Sequence, residues 1–191
     1  MNIACAVLAA GGSTRMGQPK QLLRIDGQPL IRRIVQICCA SRCDQAAVVL
    51  GAHADEVQEV IGDARVTVLQ NDVWSEGMSS SLHVAVHWAQ QVGADALLIA
   101  ACDQPFLTVD HLDALCAAYV CEQRSIASAY NETLGVPALV EAKLFEQLLA
   151  IRGDRGAAIV LRRETDIGQI AWPDGALDLD TPQDLMVMLG R

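Results

Sequence analysis

Two unbroken apolar runs, Ile3 to Ala10 and Ala96 to Ala101, constrain this chain more than any other feature. Neither carries a charge, and both are too short for a lone buried helix, so each reads as a strand. A strand apolar at every position is buried on both faces, which places Ala96 to Ala101 at the centre of a parallel sheet. Shorter runs at Ala46 to Leu50, which ends at Gly51, and at Val66 to Leu69 add further strands. Helical spacing lies between them. Ile31, Ile34, Val35 and Cys38 predict a helix from Pro29 to Ala40, with Pro29 in its first turn. Val57, Val60 and Ile61 predict one over Asp55 to Ile61, and Leu82, Ala85, Val86 and Ala89 one over Ser79 to Gln91. Leu112, Leu115, Cys116, Tyr119 and Val120 mark the helix after the central strand.

Strands therefore alternate with helices to about residue 130, the pattern of a mostly parallel sheet covered on both sides. The expected fold is a three-layer α/β/α, Rossmann-like domain over residues 1–191. The remainder is less regular. Val136 to Val140 predicts a strand interrupted by Pro137, and Leu144 to Ile151 and Ala157 to Arg163 predict short helices. Ile167 to Trp172 predicts a strand, and Thr181 caps a last helix with Pro182 in its first turn.

Ligands of such sheets sit beyond the carboxyl ends of the strands. There the first strand runs into Leu8-Ala9-Ala10-Gly11-Gly12-Ser13-Thr14-Arg15-Met16-Gly17-Gln18-Pro19-Lys20. Gly11 and Gly12 expose backbone N–H groups to a ligand, and successive donors of this kind form an anion-binding nest. Arg15 and Lys20 add two cations, a set suited to polyphosphate. Gln18 stands where a P-loop needs lysine, and adjacent glycines do not make the Gly-x-Gly-x-x-Gly dinucleotide fingerprint. The alternative is an ordinary strand-to-helix turn with surface basic residues.

Asp103 follows the central strand and offers the oxygen ligand that magnesium takes beside phosphate oxygens. Asp178 and Asp180 alternate on an extended segment, so both face one way and repel unless a cation separates them. They are candidates for the second side of a metal site, with Asp178 preferred, because Asp180 can instead help cap the final helix. Asn71 and Gly77-Met78-Ser79-Ser80-Ser81 form a second cluster, expected to present hydroxyls and backbone N–H groups outward to a base. Simple helix capping competes with that reading. Gly153-Asp154-Arg155-Gly156-Ala157, with Arg152, Arg162 and Arg163, makes a local basic group that is either a second anion site or a solvated face.

A net charge of −9 argues against a nucleic-acid partner, and no segment has the length of a membrane span. The N-terminus carries no basic leader, and seven cysteines without paired zinc spacing read as free thiols of a reducing, cytoplasmic compartment. Cys5 and Cys102 are expected in the core. His83 and His87 share a helix face without an acidic partner and read as surface residues.

The ordered set Leu8 to Gly17 with Lys20, Asn71, Gly77 to Leu82, Asp103-Gln104-Pro105-Phe106, Gly153 to Ala157 and Asp178-Leu179-Asp180-Thr181-Pro182 resembles the MobA-like nucleotidyltransferases over nearly the whole chain. Their fold is that of the nucleotide-diphospho-sugar transferases. The Leu-Ala-Ala-Gly opening and the Asp-Gln-Pro-Phe phrase resemble the molybdenum cofactor cytidylyltransferases. The guanylyltransferase branch typically opens Leu-Ala-Gly-Gly, so Ala10 favours CTP. The resemblance implies CMP transfer from CTP to molybdopterin with release of pyrophosphate, and a molybdoenzyme or its chaperone as recipient. It implies that Arg15 and Lys20 contact phosphates, that Asp103 binds Mg2+, and that Leu8 to Ser13, Asn71 and Gly77 to Ser81 line the nucleotide pocket. The part beyond residue 130, with Gly135, Pro137, Asp154 and Arg155, would hold the second substrate. Val136 stands where the family often carries histidine. A sugar- or polyol-phosphate acceptor, or a nucleotide-binding regulator without turnover, are the alternatives.

Overall fold

The computed structural model of the chain describes residues 1–190. In chain order its elements are β1 (Ile3–Leu8), a small hairpin of β2 (Arg24–Ile25) and β3 (Gln28–Pro29), α1 (Leu30–Ala40), β4 (Gln45–Leu50), α2 (Ala54–Ile61), β5 (Thr67–Gln70), α3 (Met78–Gln91), β6 (Ala96–Ala101), α4 (Val109–Glu122), β7 (Ile126–Tyr130), β8 (Thr133–Glu141), α5 (Phe145–Leu149), α6 (Ala158–Leu161), β9 (Gly168–Ala171) and α7 (Pro182–Leu189). Seven strands form one sheet in the order β5-β4-β1-β6-β8-β7-β9. β1 pairs in parallel with both β4 and β6, and β4 with β5. β8 runs antiparallel to β6 and β7, and β9 is parallel to β7.

The alternation of side chains along a strand divides the core into two layers. Cys5, Val7 and Leu98 pack with Ile31, Ile34, Val57, Leu112 and Leu115, so α1, α2 and α4 cover one face. Ala4, Ala6, Leu97 and Ile99 pack with Leu82, Val86, Phe145, Leu148 and Leu161, so α3, α5 and α6 cover the other. β1 and β6, apolar on both faces, sit side by side at the centre, which is why their runs lack any polar break. The mostly parallel, helix-covered sheet is the expected architecture.

Several details differ from the expectations above. Pro29 belongs to β3 and precedes α1 rather than opening its first turn. β7 had no clear periodicity, and β8 is nine residues long instead of five and runs through Pro137. The β7–β8 ladder shifts between Ala127 and Ser128, pairing Ala127 with Ala138 and Ser128 with Gly135. Val136 and Pro137 thus bulge out of the ladder, where a residue without an N–H is tolerated. α6 is shorter than expected. Cys5 and Cys102 are buried as expected, and the seven cysteines are free. No helix among the described residues is long and apolar enough to cross a membrane.

Candidate active site

Because β1, β4, β5 and β6 run in parallel, the residues that follow them, the Leu8–Lys20 loop, Gly51, Asn71 and Asp103, share one edge of the sheet. β8 is antiparallel and starts at that edge, and β7 ends there.

The glycine loop is held from within the protein. Ala9 N–H donates to Val49 O at 2.9 Å and Ala52 N–H to Ala10 O at 3.0 Å, so the first residues past β1 remain tied to β4. Gln21 then does what the sequence reading missed. Its side chain is 1% exposed. Its Nε2 donates at 2.8 Å to both Ala9 O and Gly11 O, and its Oε1 accepts from the Ser13 hydroxyl at 3.3 Å. Ser13 Oγ in turn accepts from Lys20 N–H at 3.0 Å. Ser13 has φ +52° and Gly17 φ +73°, which curl the loop. One buried amide therefore occupies the carbonyls of the loop on its inner side.

Lys20 Nζ donates to Asp103 Oδ2 at 2.6 Å and to Asp180 Oδ1 at 3.0 Å, and Arg15 Nη2 to Asp180 Oδ2 at 2.8 Å. Burial alone would lower the Lys20 ammonium, but the charge and hydrogen bond of Asp103, helped by Asp180, raise it above its ordinary value. Leu179 N–H donates to Asp103 O at 2.9 Å, which draws the Asp178–Asp180 segment alongside β6. Asp180 is then fixed by the start of α7. Asp184 Oδ2 accepts from the N–H of Asp180 and of Thr181, and Thr181 caps the helix in a capping box. Burial, reinforced by the charges of Asp103 and Asp180, pushes the Asp178 carboxyl up to about 6.

Asp103 and Asp180 share one cation, Lys20, so they present a carboxylate pair to positive charge. The sequence reading preferred Asp178 to Asp180; Asp180 makes the direct contacts with both loop cations. Among the described residues no group of three or more His, Cys, Asp or Glu is arranged to hold a metal alone. The carboxylates fit a magnesium-type ion all the same, since such ions are held by one or two carboxylates completed by substrate phosphates and water.

Several residues of the expected nucleotide pocket are bonded within the protein. Ser79, Ser80 and Ser81 are buried rather than turned outward. Asn71 Nδ2 donates to Ser80 Oγ at 2.8 Å and Ser81 Oγ at 3.0 Å, while Asn71 Oδ1 accepts from Val73 N–H at 3.1 Å. Ser80 Oγ donates to Gly77 O. Asn71 and the Ser80 and Ser81 hydroxyls are thus bonded to one another, as buried polar groups usually are. Gly12 is not bare to a ligand alone either: a β-carbon there would lie 3.1 Å from Trp74 Cζ3, whereas the same position at Gly11 is open. Gly77, at φ +107°, presses on the backbone of Gly153 and Asp154, and Met78 packs on Gly156. The Gly153–Ala157 turn thus braces the start of α3. Arg152 turns back onto the carbonyls of Leu149 and Ile151, so the basic group is partly engaged.

On the other side of Asp103, Gln104 Nε2 and the Tyr130 hydroxyl both donate to Val136 O, at 2.9 and 3.0 Å. Gly135 is bare because the Tyr130 ring lies against it. Pro137 O accepts from Ser128 Oγ at 2.6 Å, and that hydroxyl accepts from His111 Nε2 at 2.7 Å. A cavity of about 730 Å³ opens here, lined by Tyr130, Thr133, Leu134, Arg162 and Gln169 among others.

Residues 5–167 match the MobA-like NTP transferase domain. The chain belongs to the MobA-like NTP transferase family. Two curated relatives are each 29% identical to it. The purine catabolism protein PucB of Bacillus subtilis aligns over 93% of this chain and 91% of its own length. The molybdenum cofactor guanylyltransferase of Rhodobacter capsulatus aligns over 97% and 94%. Among solved structures, the Rv0371c homologue from Mycobacterium sp. strain JC1 superposes with a TM-score of 0.85 at 28% identity, covering 98% of this chain and 95% of that one. As a MobA-like protein the chain is a nucleotidyltransferase, and its glycine loop and Asp103 occupy the ligand edge common to sheets of this type.

Proposed function

We propose that the chain transfers CMP from CTP to molybdopterin in the cytoplasm, releasing pyrophosphate, with a divalent metal, Mg2+, bound at Asp103 and its neighbours. The observation that carries this reading is the ion cluster itself: Arg15 and Lys20 of the glycine loop meet Asp103 and Asp180 at the ligand edge. Cations on the glycine loop, a carboxylate after β6 and a carboxylate before α7 are complementary parts of a metal–triphosphate site. Lys20 and Arg15 would exchange carboxylate for phosphate oxygens, holding the triphosphate against the open Gly11 amide. Asp103, with Asp180 or Asp178, would hold the metal, which when bound neutralises the phosphates and stabilises charge on the departing pyrophosphate. No protein nucleophile is needed, since the phosphate of the acceptor supplies the attacking oxygen; the protein contributes position and charge.

CTP rests on Ala10, whose methyl stands where the guanylyl branch has glycine. The acceptor side is the half beyond residue 130, with Gly135, Pro137 and the cavity lined by Tyr130, Thr133, Leu134 and Arg162, and the product would pass to a molybdoenzyme or its chaperone. Asp154 and Arg155 would act from the turn that braces α3. The test is pyrophosphate release from each of the four common nucleoside triphosphates with Mg2+, with and without molybdopterin. Release from CTP only when molybdopterin is present is the expected result. A preference for GTP overturns the donor, turnover with a sugar phosphate alone overturns the acceptor, and binding without release in every case overturns enzymatic function.

A further inference from the structure

The three tryptophans sit differently. Trp88 and Trp172 are buried, while Trp74 is 37% exposed. The Trp74 side chain lies across the ends of two neighbouring strands. Its stem covers Gly51 after β4, where an added β-carbon would come within 2.6 Å of Trp74 Cβ and 2.9 Å of Ala10 Cβ. Its six-membered ring reaches Gly12 in the loop after β1, where an added β-carbon would lie 3.1 Å from Cζ3, 3.3 Å from Cη2 and 3.8 Å from Ala52 Cβ. Gly12 and Gly51, flanked by Ala10 and Ala52, thus lie beneath the indole. The turn that carries it is rigid: Asn71 holds Val73 N–H, and Trp74 O accepts from Gly77 N–H at 3.2 Å. A tryptophan that only filled a gap would be enclosed. This one is packed on one side and open on the other, beside the phosphate loop, where Asn71, Ser80 and Ser81 are already bonded to one another.

We propose that Trp74 is the nucleobase-binding residue of this site: the exposed part of its indole is the surface on which the base of the incoming nucleoside triphosphate packs. The inference rests on the reading of the loop as a triphosphate site. Base–aromatic stacking has the strength and the tolerance for base identity that such a role needs. The phosphates would be held by charge and the base by Trp74, two separable contributions.

The experiment compares CTP with inorganic tripolyphosphate, both with Mg2+, as a ligand with a base and one without. Wild type, W74F and W74A are used, and binding is followed by tryptophan emission and calorimetry. CTP should change the emission of wild type but not of W74F, and tripolyphosphate should leave it nearly unchanged. W74A should weaken CTP about tenfold, raising KM with kcat within about threefold, while tripolyphosphate binding stays within about twofold; W74F should restore CTP binding to within about threefold. CTP that binds wild type without altering emission, or a W74A that binds CTP normally or loses both ligands equally, overturns the role of Trp74 and leaves the triphosphate site standing. If neither ligand binds wild type, the triphosphate reading fails and this inference with it. The wild-type emission comparison decides the matter even if W74A does not fold.

Discussion

Replacing Gln21 with leucine keeps the side-chain volume near that of the original and removes two donors that reach Ala9 O and Gly11 O. The bond to Ala9 is fully buried, so its carbonyl would be left without a partner, a loss of about 1–3 kcal/mol. The Gly11 carbonyl is only partly buried and water can replace the amide, leaving about 0.5–1 kcal/mol. The expected total is about 1.5–4 kcal/mol, which for a domain of this size lowers the melting temperature by roughly 3–16 °C. The same loss frees the glycine loop to rotate its carbonyls toward the ligand, so kcat/KM for the nucleotide should fall about tenfold or more. Gln21→Glu should be worse, because a carboxylate would face two carbonyl oxygens in a buried site. Urea denaturation, a melting scan and a nucleotide titration on the two variants check this. A Q21L protein that melts within about 2 °C of wild type and binds nucleotide equally well would refute the assignment of Gln21 as the support of the loop.

Asp103→Ala should reduce turnover by about a thousandfold or more while leaving the protein folded, measured as pyrophosphate release beside a melting curve; near-normal rates would remove Asp103 from the reaction. Gly77→Ala forces a side chain into φ +107° and against the Gly153 carbonyl carbon at 2.6 Å, so a loss of at least about 2 kcal/mol is expected in denaturant titration. His111, stacked on Trp172 with ring centroids 4.7 Å apart, is held by burial at about 4. In an unfolded chain it titrates near about 6.5, and above that pH both states are neutral. As pH falls from about 6.5 toward 4, only the unfolded chain takes up the proton, and stability drops by up to about 3 kcal/mol. His111→Gln, followed by urea unfolding across that window, should lose this part of the acid dependence; an unchanged slope would reject it.

The sheet was legible because its central strands are apolar at every position and its helices repeat at 3.6 residues, both local properties of the chain. So was the edge that carries Asp103 and the glycine loop, since parallel strands dictate which ends meet. The inward turn of Ser80 and Ser81 was not, because it depends on Asn71, which the fold alone brings within bonding distance. The packing of Trp74 on Gly12, more than sixty positions away in the chain, carried no sequence signal either. Gln21 carried no sequence signal, and only its burial against two carbonyls reveals its work. The first residues of β8, Thr133 to Gly135, were not legible, because a threonine and a glycine beside the turn at Asn131 and Glu132 carry no strand alternation.

The most direct measurement is a crystal structure of the chain with a non-hydrolysable CTP analogue and Mg2+. The triphosphate should lie against the Gly11 amide with Lys20 and Arg15 turned to its oxygens and the metal on the Asp103 carboxylate. A nucleotide bound elsewhere, with Lys20 still joined to Asp103 and Asp180, would contradict it.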